Sequence, residues 1–231
     1  MNLGAVSFDI YSALYDTPAG LARAVAPVLK ARGVTGDPLA VARAWRHKQR
    51  EYLQVANSLD REPASNRRAI EASARYTLRG LVPALSAEEV AALVAAWEDL
   101  PPWPEAAEAL GEVRRRGLVL ATLSNGDEDM LRALLDRTLP LRFDYLISTE
   151  GGRFKPHPSA YRRALETLGV RVEDLLHVAG AATDAMGATA YGIRTVWVNR
   201  AADAVVDPRF APAHEIATLG DLPPLLDALR G

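Results

Sequence analysis

The 231-residue sequence contains no cysteine. Disulfide bonds, thiol nucleophiles, thiolate zinc sites and iron–sulfur clusters are therefore excluded, and any nucleophile must be an oxygen or nitrogen atom. Aromatic residues make up only 6% of the chain. The four histidines lack the spacing of a metal site or a catalytic triad. Lysine is also scarce, because 24 of the 27 basic residues are arginine, so the three lysine positions are informative: Lys30, Lys48 and Lys155.

Neither charge is in strong excess, since 27 basic residues face 29 acidic ones. This balance provides no long-range attraction to polyanions, so we expect no nucleic-acid partner. No apolar run approaches the roughly 20 residues that span a bilayer, so we expect no membrane partner either. Asp9 interrupts the apolar run over residues 3–8, which argues against a signal peptide and favours a cytoplasmic location.

The order of apolar and amphipathic segments predicts an α/β fold with a Rossmann-like, doubly wound parallel sheet. Short apolar runs predict buried strands, and from residue 104 onward they alternate with helical patterns, as in βαβ units. The predicted strands are residues 6–8, 118–123, 145–148, 175–178 and 195–198, and the predicted helices of this part are residues 104–116, 130–137, 159–168 and 184–191.

Residues 17–99 interrupt this alternation with long stretches rich in alanine, leucine, arginine and glutamate. Ser86 and Glu89 have the spacing of a capping box before an apolar helix. We therefore predict a core domain formed by residues 1–16 and 100–231, and an all-helical cap domain inserted over residues 17–99.

Polar residues follow several predicted strands, where an open parallel sheet binds its ligands. Asp9 follows the first strand, the pair Ser124 and Asn125 follows the second, and Asp184 follows the fourth. Lys155 lies in a loop between the third strand and a helix. These side chains are expected to converge, and a carboxylate beside a lysine and a Ser-Asn pair suits nucleophilic catalysis on an anionic substrate.

In this order and spacing the segments resemble the four motifs of the haloacid dehalogenase superfamily, and most closely its L-2-haloacid dehalogenase family. A cap segment over residues 45–52 also looks like the helix that carries the halide-binding arginine in that family. The resemblance covers nearly the whole chain and is carried by Phe8-Asp9-Ile10-Tyr11, Leu123-Ser124-Asn125-Gly126, Phe154-Lys155-Pro156, Val178 to Ala188, Thr195 to Arg200, and Trp45-Arg46-His47-Lys48-Gln49-Arg50-Glu51-Tyr52.

The resemblance implies a hydrolase that acts on carbon–halide bonds and converts small L-2-haloalkanoic acids to 2-hydroxy acids. Asp9 would displace the halide and form an aspartyl ester, which water then cleaves. Ser124, with backbone N–H groups after Asp9, would bind the substrate carboxylate. Arg46 and Asn125 would receive the halide.

The remaining implied roles concern orientation and pocket shape. Lys155 would keep Asp9 ionised, and Asp184 would fix Lys155 or position the hydrolytic water. Tyr11 and Tyr161 would line the pocket. The family likeness also implies a homodimer, with a small 2-halo acid as the other partner.

A magnesium-dependent phosphatase of the same superfamily is one alternative. Such enzymes resemble this chain but have a second aspartate where Tyr11 stands, and an acidic residue early in the fourth motif, where this sequence has Gly180 and Ala181. Too few oxygen ligands remain for a hard octahedral cation, so we expect no metal and no other cofactor.

An organic-acid binder with little or no activity is the second alternative. The family has Gly-Thr where this chain has Ser12-Ala13, and Ser and Asn where it has Gly180 and Ala181. Lost hydroxyl and amide groups would slow ester hydrolysis. Because the replacements are smaller, we also expect a roomier pocket.

Overall fold

The computed structural model describes residues 3–82 and 84–230, which form an α/β fold. Its sheet has five parallel strands in the order β2-β1-β3-β4-β5. The prediction of a parallel α/β core is confirmed. The strands are β1 (Ala5–Phe8), β2 (Val119–Thr122), β3 (Leu175–Ala179), β4 (Arg194–Val198) and β5 (His214–Ile216).

One predicted strand is absent and one observed strand was not predicted, both at the edges of the sheet. Residues 145–148 make only isolated parallel bridges, from Tyr145 to Ala121 and from Ser148 to Ser124, and form no strand. The edge strand β5 was missed because it has three residues and an exposed glutamate at its centre. Strands this short, with one open edge, carry little of the apolar pattern that marks a buried strand.

Nine α-helices accompany the sheet in the described part of the chain. The four helices predicted after residue 104 are present, with ends shifted by one or two residues. Gly169 and Gly192 end two of them with positive φ angles of 64° and 97°, as C-terminal glycines do. The helices are α1 (Thr17–Ala31), α2 (Pro38–Leu59), α3 (Asn66–Leu78), α4 (Ala87–Ala95), α5 (Ala106–Arg115), α6 (Glu128–Thr138), α7 (Pro158–Leu168), α8 (Ala182–Tyr191) and α9 (Leu222–Arg230).

Residues 17–99 contain helices α1 to α4, and their described part contains no strand of the sheet. The capping box of Ser86 and Glu89 is present at the start of α4. Trp45 of α2 and Trp97 are fully buried, with ring centroids 5.9 Å apart in an edge-to-face arrangement. Burial of such large side chains supplies much of the favourable free energy that holds these helices together.

A carboxylate of the sheet-containing part anchors this helical segment. Asp127, which precedes α6, accepts hydrogen bonds from the backbone N–H groups of Asn66 and Arg67 and from the Ser65 hydroxyl. These donors lie at the start of α3, where a helix leaves N–H groups unpaired and favours a negative charge. The contact holds α3 against the loop that follows β2.

Strand order and register determine where a cleft opens. Phe8 is in register with Thr122 on one side and Val178 on the other, so the chain leaves three adjacent strands at one level. The chain passes from β1 to β2 on one side and then crosses from β2 to β3 on the other side of β1, so the strand order reverses here and this edge is the expected ligand site. No helix among residues 3–82 and 84–230 has both the length and the apolar character needed to cross a membrane.

Candidate active site

A small cavity of about 40 Å³ lies at the carboxyl end of β1, between the sheet and helix α2. Its lining combines residues from the ends of the strands with residues of α2, so both parts of the fold contribute. The lining residues are Asp9, Tyr11, Ser12, Arg46, Gln49, Arg50, Leu53, Gln54, Asn125, Lys155, Ala181, Thr183 and Asp184.

Asp9 is held through both of its carboxylate oxygens. Its Oδ2 accepts a hydrogen bond of 2.9 Å from the backbone N–H of Ser12, and its Oδ1 lies 3.2 Å from the Nζ of Lys155. Only 7% of Asp9 is exposed, yet it lines the cavity. A fixed, charge-paired carboxylate at a cavity wall is suited to nucleophilic attack.

Lys155 joins the two buried carboxylates of the site. Its Nζ donates to Asp184 Oδ2 at 2.6 Å and to the Leu123 carbonyl at 2.6 Å, in addition to Asp9. Burial lowers the pKa of Lys155, but Asp184 and Asp9 outweigh that effect and raise the pKa above its ordinary value. Lys155 is therefore a fixed cation at neutral pH.

Asn125 holds the backbone of Lys155. Its Nδ2 donates to the Lys155 carbonyl at 3.0 Å, and its Oδ1 accepts from the Lys155 N–H at 2.7 Å. Thr149 donates to the same Oδ1 at 3.2 Å. Asn125 reaches the cavity as expected, but most of its hydrogen-bonding capacity is used to position the lysine.

Asp184 is held by three side chains. Lys155 and the Nε2 of His177, at 3.1 Å, contact its Oδ2, and the Tyr161 hydroxyl donates to its Oδ1 at 2.9 Å. Burial raises the pKa of Asp184, but Lys155 and His177 more than compensate and hold it below its ordinary range. Of the two roles considered for Asp184, these contacts favour the fixing of Lys155.

Tyr161 does not line the cavity, so that expectation is wrong. Its ring is fully buried, and its hydroxyl donates to Oδ1 of Asp184, which does line the cavity. The sequence placed Tyr161 near the site correctly but could not show which side of Asp184 it would occupy. Its contact is with the residue that holds Lys155.

His177 was missed as a member of this network. It lies within β3, where Ser7 of β1 is its register partner, and its Nδ1 is 2.9 Å from the Ser7 Oγ. His177 is completely buried and connects Ser7 to Asp184. A polar residue in the middle of a buried strand was the available signal, because such a group requires a hydrogen-bond partner.

Arg46 enters from helix α2 and faces the cavity from the side opposite Lys155. Its Nη1 donates to Gln49 at 2.6 Å and its Nη2 to the Ser12 hydroxyl at 3.1 Å, and its guanidinium lies over the rings of Trp97 and Tyr11. Burial, reinforced by the nearby Arg50, lowers the pKa of Arg46 to about 9 despite attraction to Asp9. Within residues 3–82 and 84–230 its hydrogen-bond partners are both neutral, so an anion would stabilise this cation.

Tyr11 lines the cavity, as expected, and packs edge-to-face on Trp97 with ring centroids 5.1 Å apart. Burial raises the pKa of its hydroxyl well above the ordinary value, so Tyr11 stays neutral. A neutral phenol at this position cannot serve as the carboxylic acid that a phosphatase would need here.

Ser124 is fully buried and is not among the residues that line the cavity. Its Oγ has no hydrogen-bond partner within the described residues. An unpaired buried hydroxyl is unfavourable by about 1–3 kcal/mol. Ser124 lies directly before Asn125, so a ligand that reached past Asn125 could supply the missing bond.

The expectation of a roomier pocket fails at Gly180. A Cβ atom at this position would lie 2.1 Å from the backbone carbon of Ser12 and 2.3 Å from the backbone N of Ala13. The backbone of Ser12 and Ala13, in the loop between β1 and α1, therefore occupies the space that a side chain at position 180 would take. Ala13 is fully buried as well, so the small residues allow close packing of two loops in place of an enlarged cavity.

Several cavity residues had not been identified from the sequence, among them Ser12, Gln49 and Arg50. Gln49 and Arg50 follow Arg46 by three and four positions on α2. Residues at these spacings share a helix face, so the position of Arg46 was the signal that could have located both.

The carboxylates of the site do not fit a magnesium ion. Asp184 is already bonded to Lys155, His177 and Tyr161, and Asp9 to Lys155 and Ser12. Across the described part of the chain, no group of three or more histidine, aspartate or glutamate side chains has a metal-binding arrangement. A hard cation that prefers six oxygen ligands would have to displace Lys155.

Comparison with known proteins agrees with this geometry. A family model described as haloacid dehalogenase-like hydrolase matches residues 3–192. The (S)-2-haloacid dehalogenase of Pseudomonas sp. (strain YL) is 30% identical over 228 residues, which cover 98% of this chain and 95% of that protein. The haloacetate dehalogenase H-2 of Moraxella sp. (strain B) is 31% identical over 201 residues, covering 86% and 87%.

Among solved structures, the L-2-haloacid dehalogenase from Xanthobacter autotrophicus with chloropropionic acid covalently bound superimposes with a TM-score of 0.85. It is 30% identical in sequence, and the match covers 98% of this chain and 99% of that one. The motifs at the strand ends, the family match and the likeness over nearly the whole chain agree. The chain therefore belongs to the L-2-haloacid dehalogenase family of the haloacid dehalogenase-like hydrolases.

Proposed function

We propose that this protein hydrolyses small L-2-haloalkanoic acids to 2-hydroxy acids without a metal ion. A carboxylate oxygen of Asp9 forms a bond to C2 of the substrate as the bond from C2 to the halogen breaks. The products of this step are a halide ion and an ester between Asp9 and the substrate. A single displacement inverts the configuration at C2.

Water then cleaves the ester. The water oxygen bonds to the side-chain carbonyl carbon of Asp9, and the bond from that carbon to the substrate oxygen breaks. The product leaves as a 2-hydroxy acid whose hydroxyl oxygen came from Asp9, and one proton is released for each halide. The covalently bound chloropropionic acid in the Xanthobacter relative supports a route through a covalent intermediate.

The pairing of Asp9 is the observation that carries this proposal. Lys155 and the Ser12 N–H hold the Asp9 carboxylate in one orientation at the cavity wall, while Asp184 fixes Lys155. A halide leaves as an anion and needs no proton donor, which agrees with the neutral, hydrogen-bond-poor Tyr11 beside Asp9. Preorganised charges of this kind are among the largest contributions to catalysis.

The remaining site residues would bind the two anionic groups of the reaction, the departing halide and the substrate carboxylate. We assign Arg46 and Asn125 to the departing halide, since Arg46 lies in the cavity with neutral partners only. We assign Ser124 to the substrate carboxylate, because its buried Oγ lacks a partner among the described residues. Tyr11 would form one wall of the pocket. Tyr161 would act through Asp184.

The first test is halide release from chloroacetate and from both enantiomers of 2-chloropropionate, with EDTA present. The wild type should release chloride from the L enantiomer and from chloroacetate, while Asp9→Asn should release none above background. Retained folding of Asp9→Asn would be verified by circular dichroism and its urea midpoint. A wild-type rate that disappears with EDTA would contradict the metal-independent reaction.

A single turnover in water labelled with oxygen-18 tests the ester route directly. With enzyme in excess, the label should enter the peptide that contains Asp9, and the first molecules of hydroxy acid should be unlabelled. Label found directly in the first product would mean that water attacks C2 itself, and would overturn the role of Asp9.

Two outcomes would move the alternatives ahead. No halide release and no mass adduct on Asp9, with the protein folded, would favour the organic-acid binder, whereas a stable adduct without product would identify an enzyme impaired only in ester hydrolysis. EDTA-sensitive release of phosphate from p-nitrophenyl phosphate, with no halide release, would favour the phosphatase.

We further propose that residues 17–99 act as a cap over the site, and that the protein is a cytoplasmic homodimer. Val55 and Leu59, on the last turns of α2, are apolar yet 49% and 64% exposed, which suits a surface covered by a second copy. Light scattering on the eluted protein should give twice the 25.0 kDa chain mass. Leu59→Glu should shift it to the monomer, and a monomeric wild type would contradict the dimer.

A further inference from the structure

A second cavity of about 240 Å³ adjoins the one that contains Asp9. Both cavities are lined by Tyr11, Ser12, Arg46, Arg50 and Ala181, so they are neighbours that share a wall. The second cavity is about six times larger, since the first has only about 40 Å³. A substituent on the carbon that Asp9 attacks therefore has room to extend past these shared residues.

Arg50 is exposed to solvent at this junction, and no described residue pairs with its charge directly. It makes no hydrogen bond or salt bridge with the described residues, unlike Arg46, which has two neutral partners. Its charge is attracted to Asp9 and to Asp203 from a distance, while partial desolvation lowers its pKa. Arg46 and Arg50 also repel each other, because Arg50 lowers the pKa of Arg46.

The other charged side chains that line the second cavity are less suited than Arg50 to bind an anion there. Arg200 lines the cavity, but it forms an ion pair with Glu105 and stacks over the Trp103 ring. Asp203 is the carboxylate of the lining. Its attraction to Arg50 is long-range only, because the two side chains form no salt bridge.

We propose that Arg50 determines specificity by binding a second carboxylate on the substrate, so that this enzyme favours 2-halo dicarboxylic acids such as L-2-chlorosuccinate. The inference rests on the proposed dehalogenation and adds the substrate class. In L-2-chlorosuccinate one methylene group, C3, separates C2 from the second carboxylate, which places that carboxylate where the two cavities meet. It relieves the repulsion between Arg46 and Arg50 and makes a charge-assisted pair with a guanidinium that forks toward both of its oxygens.

The test compares L-2-chlorosuccinate with L-2-chlorobutyrate, which has the same four-carbon chain but lacks the second charge. Chloride release is measured at constant ionic strength for the wild type, Arg50→Met, Arg50→Lys and a matched control, Arg43→Met. Arg43 is on the same helix, is exposed and lines neither cavity, so its replacement removes the same net charge.

We expect kcat/KM of the wild type to be at least about 10-fold higher for chlorosuccinate, mainly through KM, as one charge-assisted pair provides. Arg50→Met should remove this preference, Arg50→Lys should keep part of it, and Arg43→Met should keep all of it. Equal ratios of the two substrates in the wild type and in Arg50→Met would overturn the inference.

Binding measurements distinguish a failure of the proposed dehalogenation from a failure of the proposed role of Arg50. If the wild type releases no chloride from any substrate, calorimetry with succinate and butyrate, which cannot react, still tests Arg50. Tighter binding of succinate by the wild type, lost in Arg50→Met and retained in Arg43→Met, supports the second carboxylate site. Equal affinities for the two acids contradict it.

Discussion

The charged side chains on one side of the catalytic cavity form ion pairs, whereas those on the opposite side do not within the part of the chain that the structure describes. On the sheet side, Lys155 lies between Asp9 and Asp184, and His177 completes the network, so every buried charge has a partner. On the side of α2, Arg46 has neutral partners and Arg50 has none among the described residues. We call these the sheet wall and the helix wall.

The difference in charge pairing gives the two walls different roles, with the sheet wall orienting Asp9 and the helix wall binding an anion. The sheet wall is electrostatically complete, so it holds the nucleophile in one geometry before substrate arrives, which is how enzymes avoid reorganisation during the reaction. The helix wall is incomplete until an anion enters. Its buried cation lacks the compensation that a paired charge receives, and part of the substrate binding energy comes from supplying it.

Removing the cation of Lys155 should disrupt the charge network of the sheet wall more than any other change. We expect Lys155→Met to reduce kcat by about 10³-fold or more. It should also reduce the free energy of unfolding by about 3–5 kcal/mol, because two carboxylates are left buried without it. Steady-state chloride release and urea unfolding measure the two effects. Lys30→Met, at an exposed position, is the control, and near-normal turnover in Lys155→Met would contradict the assigned role.

Asp184→Asn tests the same wall through pH. Because the pKa of Asp184 is held below its ordinary value, its ionised form contributes stability that is present above that value and lost as pH falls. The wild type should therefore lose more stability than Asp184→Asn between about pH 5 and pH 3.

At pH 7 the variant should be less stable by about 3 kcal/mol. Urea midpoints at each pH, with the exposed Asp136→Asn as reference, decide the matter. Parallel curves for the wild type and Asp184→Asn would mean that Lys155 and His177 do not stabilise the ionised carboxylate.

Arg46→Met should show the opposite balance and so sharpen the contrast between the walls. Turnover should fall by about 10²-fold, since a positioned donor to the leaving halide is lost. Stability should change by less than about 1 kcal/mol or increase, because a buried cation without an anionic partner is replaced by an apolar side chain. A loss of stability as large as that of Lys155→Met would show that the two walls do not differ in this way.

Tyr161→Phe should have the smallest effect on turnover. It removes one hydrogen bond to Asp184, which keeps its contacts with Lys155 and His177, and we expect about 1–2 kcal/mol of lost stability. Turnover should fall less than about 10-fold, with KM unchanged because the side chain does not line the cavity. A raised KM would restore Tyr161 as a substrate contact. Tyr145→Phe, at an exposed tyrosine, is the matched control.

Much of the fold and the sheet wall of the site could be predicted because both depend on local sequence patterns. Four of the five strands are mainly apolar, and the strand ends of a parallel sheet meet at one edge, where Asp9 and Asp184 lie and Lys155 joins them from a loop. The helix wall was predicted only through Arg46. Arg50 lies one helical turn further on, but its lack of a partner depends on every side chain around it.

Residue types and their spacing alone determined the α/β core, the helical segment between β1 and β2, and the carboxylate–lysine chemistry, since periodicity and strand-end polarity are properties of neighbouring residues. Tertiary structure alone decided that Tyr161 lies behind Asp184, that His177 extends the network, and that the backbone of Ser12 fills the space beside Gly180. These facts depend on the direction of side chains and the approach of distant loops. Neither a side-chain direction nor a contact between residues as distant in the sequence as Ser12 and Gly180 can be predicted from a local pattern.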